Sequence, residues 1–134
     1  MNGKLRIKCT QCGNVYDING ATPCPKCNTV MSPFPGTVQV YRMGSPIGVA
    51  AGYGVYINGH PFGHIANTET VTYSLPFGTY TFHMTCGMTR KCTDLTVNLT
   101  PETPVGYLKA HIKPGFWTNS IVIEPSNPAE MPHN

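Results

Sequence analysis

Residues 70–85 read TVTYSLPFGTYTFHMT, and the alternation in this stretch decides the fold class. Val71, Tyr73 and Leu75 fall on one side of the chain, and Thr70, Thr72 and Ser74 on the other. Beyond the break at Pro76-Phe77-Gly78, Tyr80, Phe82 and Met84 oppose Thr79, Thr81 and His83. A period of two marks a strand with one buried face, because successive side chains point to opposite sides of the pleat. The pattern continues outward. Residues 93–99 set Leu95, Val97 and Leu99 against Asp94, Thr96 and Asn98, and 38–43, 53–57, 62–66, 105–112 and 120–124 supply further strands. Asn58-Gly59 separates two of them and forms a two-residue hairpin turn, since both residues tolerate positive φ. No apolar pattern of helical period lasts three turns. The expectation is an all-β chain whose residues 37–125 form an antiparallel β-sandwich of about seven or eight strands.

Composition fits that expectation. Only 11% of the 134 residues are charged, against roughly 25% in an average soluble domain. Threonine and asparagine provide the polar faces instead. Ser-Pro-Phe-Pro-Gly at 32–36 resists both helix and central strand, and reads as a linker between an N-terminal unit at 1–31 and the sandwich. Residues 126–134 read as a flexible tail. Residues 43–68 carry no Asp, Glu, Lys or Arg, yet six glycines, two prolines and two histidines prevent a continuous apolar span. Met1–Cys12 has no apolar run of signal-peptide length, so a soluble, cytoplasmic protein is expected.

The N-terminal unit carries the chemistry. Cys9-Thr10-Gln11-Cys12 and Cys24-Pro25-Lys26-Cys27 are two CxxC pairs separated by eleven residues. Two residues between cysteines let one tight turn aim both sulfurs at a point, and two such turns complete the tetrahedron that zinc prefers. Gly13 suits the positive φ required as the chain leaves the first turn. A segment this short buries too little apolar surface to fold unaided, so a bound metal would supply its folding energy. Two disulfides or a redox CxxC are the competing readings. The first needs an oxidising compartment and the second a βαβ setting. Iron is the alternative metal. With Cys9, Cys12, Cys24 and Cys27 as ligands, one Zn2+ would be purely structural, since no position is left for a water.

Residues 5–31 resemble a zinc ribbon through Ile7-Lys8-Cys9-Thr10-Gln11-Cys12-Gly13, Val15-Tyr16 and Pro23-Cys24-Pro25-Lys26-Cys27. That family serves nucleic-acid machinery and protein docking alike, so the resemblance implies a fold and a metal. Residues 38–124 are similar to PEGA-like bacterial β-sandwich domains through Val40-Tyr41-Arg42, Val55-Tyr56-Ile57-Asn58-Gly59, Gly63-His64-Ile65 and Leu75-Pro76-Phe77-Gly78-Thr79-Tyr80. Such modules are frequent on envelope-associated proteins, and no catalytic residues come with the likeness.

Formal charge is +3, and it is local. Lys4, Arg6, Lys8 and Lys26 face only Asp17 within residues 1–28, whereas the rest of the chain balances to zero. A strand at 4–8 would present Lys4, Arg6 and Lys8 together and, with Lys26, could contact phosphates. A solvated strand face has the same pattern, and four thiolates with one Zn2+ would offset most of the charge. Aligning Phe82 and Met84 with Val97 and Leu95 places Cys86 and Cys92 on opposite faces, which argues against a disulfide unless a bulge intervenes. His60, His64, His83 and Cys86 are candidates for a second metal, although His60 and His64 lie roughly 13 Å apart along a strand. Phe116-Trp117 reads either as sandwich core or as an exposed platform for sugar or peptide. No GxxxxGK[ST], GxSxG, HExxH or GxGxxG is present, and the carboxylates are scattered. The expected function is non-enzymatic: an adaptor docking a protein partner. A nucleic-acid-binding ribbon and a carbohydrate- or cell-envelope-binding sandwich are the alternatives.

Overall fold

The computed structural model describes residues 5–44, 52–86, 91–113, 120–127 and 129. Over these the chain is all-β, with no helix among the described residues. The N-terminal strands are short: β1 (Leu5–Lys8), β2 (Val15–Ile18), β3 (Thr22–Pro23) and β4 (Val30–Met31). Longer ones follow as β5 (Gly36–Arg42), β6 (Tyr53–Ile57), β7 (His60–Ile65), β8 (Thr70–Leu75) and β9 (Gly78–Thr85). The last four are β10 (Lys91–Thr93), β11 (Leu95–Leu99), β12 (Val105–Lys113) and β13 (Ser120–Pro125).

They assemble into a seven-stranded sheet in the order β10-β13-β12-β5-β8-β1-β2, a four-stranded sheet β11-β9-β6-β7, and the pair β3-β4. One apolar cluster draws on both larger sheets. Val38, Val40, Tyr73 and Ala110 enter it from the first, and Tyr53, Val55, Phe82 and Met84 from the second. The alternation therefore does what period-two patterning does, turning one face of each strand inward. Tyr73 meets Phe62 and Phe82 edge-on, with ring centroids 6.1 and 6.0 Å apart, so aromatic contacts join the two sheets at the centre. At the end of β5, the fully buried Arg42 guanidinium lies 3.6 Å from the Tyr53 ring centroid and donates to the Ile65 carbonyl at 3.1 Å.

Pairing departs from the antiparallel expectation. β12 runs parallel to β5, and β10 runs parallel to β13. Parallel neighbours require a crossover rather than a hairpin. Between β5 and β12 the chain supplies exactly such a detour, through β6, β7, β9 and β11 of the other sheet. The expected strand at 93–99 is also broken at Asp94, where the chain leaves the large sheet as β10 and enters the small one as β11. In the β9–β11 register Leu95 faces Phe82 and Val97 faces Tyr80, two residues away from the alignment expected from the apolar positions. A slip of two preserves the faces, which is why alternation alone does not detect it.

The Asn58-Gly59 turn forms as expected, with φ of 51° and 80°. Both values belong to a type I′ turn, whose twist matches the flanking strands. Gly59→Ala should lower stability by about 1 kcal/mol, from the left-handed backbone penalty of a Cβ. A reduced urea midpoint at unchanged slope checks this; an unchanged midpoint would count against it.

The N-terminal unit is not held by residues 32–36 alone. β1 pairs with β2 on one side and makes a parallel bridge to β8 on the other, through Arg6 and Tyr73. Within 32–36, the Phe34 amide donates to the buried Ser74 hydroxyl at 2.7 Å. A separate small core of Ile7, Cys9, Ile18, Cys24 and Met31 fills the unit. At the far end, the Ser126 amide still donates to the Tyr107 carbonyl, at 2.8 Å.

Candidate metal centre

Two hairpins deliver the four cysteines. β1 leads into Cys9–Cys12 and β2 leads away; β3 leads into Cys24–Cys27 and β4 leads away. Each turn repeats the same hydrogen bonds. The Gln11 amide donates to Cys9 Sγ at 3.4 Å, and the Lys26 amide to Cys24 Sγ at 3.4 Å. The Gly13 amide donates to the Cys9 carbonyl at 3.0 Å, and the Asn28 amide to the Cys24 carbonyl at 2.8 Å. The Cys9 and Cys24 amides close the turns on the Asn14 and Thr29 carbonyls, both at 2.8 Å. Gly13 takes the positive φ expected of it, 79°, and Asn28 takes the matching position at 65°. Asparagine is among the few residues that visit this region readily. The sequence signal for this second turn exit is the asparagine that directly follows the second CxxC.

All four sulfurs lie within 4.8 Å of one another. Cys9 and Cys27 Sγ are 3.6 Å apart, and Cys12 and Cys24 Sγ 3.5 Å. Cys9 and Cys24 are buried, whereas Cys12 and Cys27 face solvent. Burial pushes the Cys24 thiol up, but the Cys27 and Lys26 amides and the neighbouring thiols outweigh it and bring it down to about 6. The Thr29 hydroxyl and amide likewise lower Cys27. At Cys12 the Asn14 amide lowers the thiol, yet desolvation and hydrogen bonds with Cys24, Cys27 and Cys9 carry it up to about 12. Donor type, spacing and amide support are together compatible with a metal site, because sulfur ligates as the thiolate.

Two of the four basic residues contact other parts of the chain. Arg6 pairs with Asp17 at 3.3 Å, donates to the His64 carbonyl at 2.7 Å, and lies 5.9 Å from the Tyr73 ring centroid. Lys8 Nζ sits 5.7 Å from the Phe62 ring centroid. Both lean onto the sheets within the chain, while Lys26 is exposed. Lys4, Phe116 and Trp117 lie outside the described residues.

Among the described residues His60 and His64 join no group of three potential ligands. His83 does, with Cys92 and Asp94. Cys86 and Cys92 are both free thiols. Burial, reinforced by the Asp94 charge against the opposing Met84 amide, pushes the Cys92 thiol up to about 11, which is unsuited to a thiolate nucleophile. No helix among the described residues is long and apolar enough to cross a membrane. Comparison with family models, with curated proteins and with solved structures gives no match.

Proposed function

We propose that the chain is a non-enzymatic interaction protein: a zinc ribbon, stabilised by one structural Zn2+ on Cys9, Cys12, Cys24 and Cys27, carried on a β-sandwich similar to PEGA-like domains. The sulfur tetrad carries this reading. A Zn–S distance of about 2.3 Å gives a regular tetrahedron with edges of about 3.8 Å. Two of the sulfur pairs, at 3.6 and 3.5 Å, match that edge with small adjustment. Four thiolates fill the coordination shell, which is the arrangement of a structural site.

A protein partner is favoured over nucleic acid by the internal contacts of Arg6 and Lys8. Among the described residues β2 also ends the seven-stranded sheet, and an edge of this kind offers backbone donors and acceptors to an incoming strand. Native mass spectrometry of the intact chain should show zinc that survives dialysis and leaves on acidification, as protons compete for the thiolates. A metal-free mass lowered by disulfide formation would overturn the zinc reading. With the intact chain as bait, retention of one protein partner should be insensitive to salt. Capture that collapses steeply with salt and disappears on nuclease treatment would reassign the protein as a nucleic-acid binder.

A further inference from the structure

The group His83, Cys92 and Asp94 stands apart from the four-cysteine centre and has no role in the function proposed above. His83 projects from the outer face of β9, between the buried Phe82 and Met84. Asp94 occupies the single residue between β10 and β11. The β9–β11 register, carried one step beyond the Leu95–Phe82 pair, sets Asp94 directly against His83. Their side chains meet, Nδ1 to Oδ1, at 2.7 Å. Two residues earlier in the chain than Asp94, Cys92 brings in a third donor, and the three ligand atoms lie within 4.8 Å of one another.

An ordinary cross-strand ion pair would explain His83 and Asp94 alone. The same protein contains such a pair, His111 Nε2 to Glu124 Oε2 at 2.9 Å, but among the described residues no cysteine completes it. At His83 the third donor is sulfur, and its surroundings repeat a feature of the four-cysteine centre. The Met84 amide donates to Cys92 Sγ at 3.4 Å, the distance found from the Gln11 and Lys26 amides to Cys9 and Cys24. A groove of about 560 Å³, lined by Tyr56, Thr81, His83, Thr85 and Asp94 among others, opens over the histidine and the carboxylate.

We infer that His83, Cys92 and Asp94 form a second, exchangeable site for a divalent transition metal. One cysteine sulfur, which would lose its proton only on coordination, one imidazole and one carboxylate suit a cation of borderline softness, such as Zn2+ or Co2+, better than Mg2+ or Ca2+. In a tetrahedral shell these donors would sit about 3.3–3.6 Å apart. His83 and Asp94, now 2.7 Å apart, must therefore separate slightly. Their side chains are 36% and 44% exposed, so rotation meets little packing resistance. Three protein ligands leave the fourth position to water or an incoming donor from the groove, and this site should bind more weakly than the closed four-cysteine centre.

The experiment starts from intact chain holding only the zinc that survives dialysis against a weak chelator. Added Co2+ should produce the visible bands of tetrahedral cobalt and a sulfur-to-cobalt charge-transfer band. Cys92→Ser, His83→Ala and Asp94→Asn should each weaken this binding by about 10–100-fold or more. Cys86→Ser and His111→Ala should leave it intact. Circular dichroism verifies the fold of each variant. In the unaltered chain, Zn2+ addition should shift the His83 ring resonances and not those of His111, a readout independent of the four-cysteine centre. Absence of a cobalt spectrum together with unmoved His83 resonances would overturn the site. Binding unchanged in folded Cys92→Ser would do the same.

Discussion

Cys24→Ser is expected to abolish zinc binding and to unfold the N-terminal unit while the larger core survives. Metal binding at a structural zinc site is worth about 10–16 kcal/mol at neutral pH, comparable with the whole stability of a typical domain at about 5–15 kcal/mol. The unit has little to put in its place. Its core consists of Ile7, Cys9, Ile18, Cys24 and Met31, and two of those five are proposed ligands. Serine at position 24 would remove the sulfur at the centre of the second turn, to which both the Lys26 amide and Asn14 Nδ2 donate. Amide hydrogen exchange resolves the outcome. Protection should vanish over β1–β4 and persist in β5, β8, β9 and β12, with chelation of the unaltered protein giving the same map. Wild-type exchange in the variant, or loss of protection throughout both sheets, would contradict the proposed division of stability.

Much of this arrangement is legible in the residue order, and what is not has identifiable causes. Period-two alternation marks the strands because burial acts on one face of each, and Asn58-Gly59 marks its turn because few residue pairs accept two positive φ values. The CxxC pairs, whose sulfurs come together, are legible because the spacing that thiolate ligation of a metal requires is local. Register is different. Matching apolar residues across β9 and β11 leaves alignments two residues apart nearly equivalent, since each keeps leucine, valine, tyrosine, phenylalanine and methionine on the same face. The polar face distinguishes them. In the observed register Thr79 faces Asn98 and Thr81 faces Thr96, each pair joined by side-chain atoms at 3.1 and 3.0 Å, and His83 comes to Asp94. Polar complementarity across the strands was thus the missing signal, and with it the proposed second metal site. The parallel pairings and the β1–β8 bridge join residues far apart in sequence, where no local pattern specifies a neighbour.

Phe82→Ala is expected to destabilise the two-sheet core by about 3–5 kcal/mol, the cost of removing a large buried aromatic side chain and leaving a cavity. Phe82 sits in β9, the strand paired with both β6 and β11, opposite Ile57 and Leu95. It is fully buried and touches Tyr73 from the facing sheet, with ring centroids 6.0 Å apart. Backbone pairing and contact between sheets therefore converge on one side chain. Thermal unfolding should fall by on the order of 10–20 °C. Phe82→Leu, which keeps most of the volume, should cost about 1.5 kcal/mol or less. Zinc content measured below the lowered transition should be unchanged in both variants, because Phe82 belongs to the larger core, whereas Cys9 and Cys24, two of the proposed ligands, belong to the smaller one. A loss below about 1 kcal/mol would show that the sheets do not depend on this contact. Zinc released by Phe82→Ala while the sheets remain folded would show that the larger core governs the metal site. The Cys24→Ser result supplies the reciprocal test: the two substitutions separate a stability set by metal coordination from one set by aromatic packing, within a single chain joined through Arg6 and Tyr73.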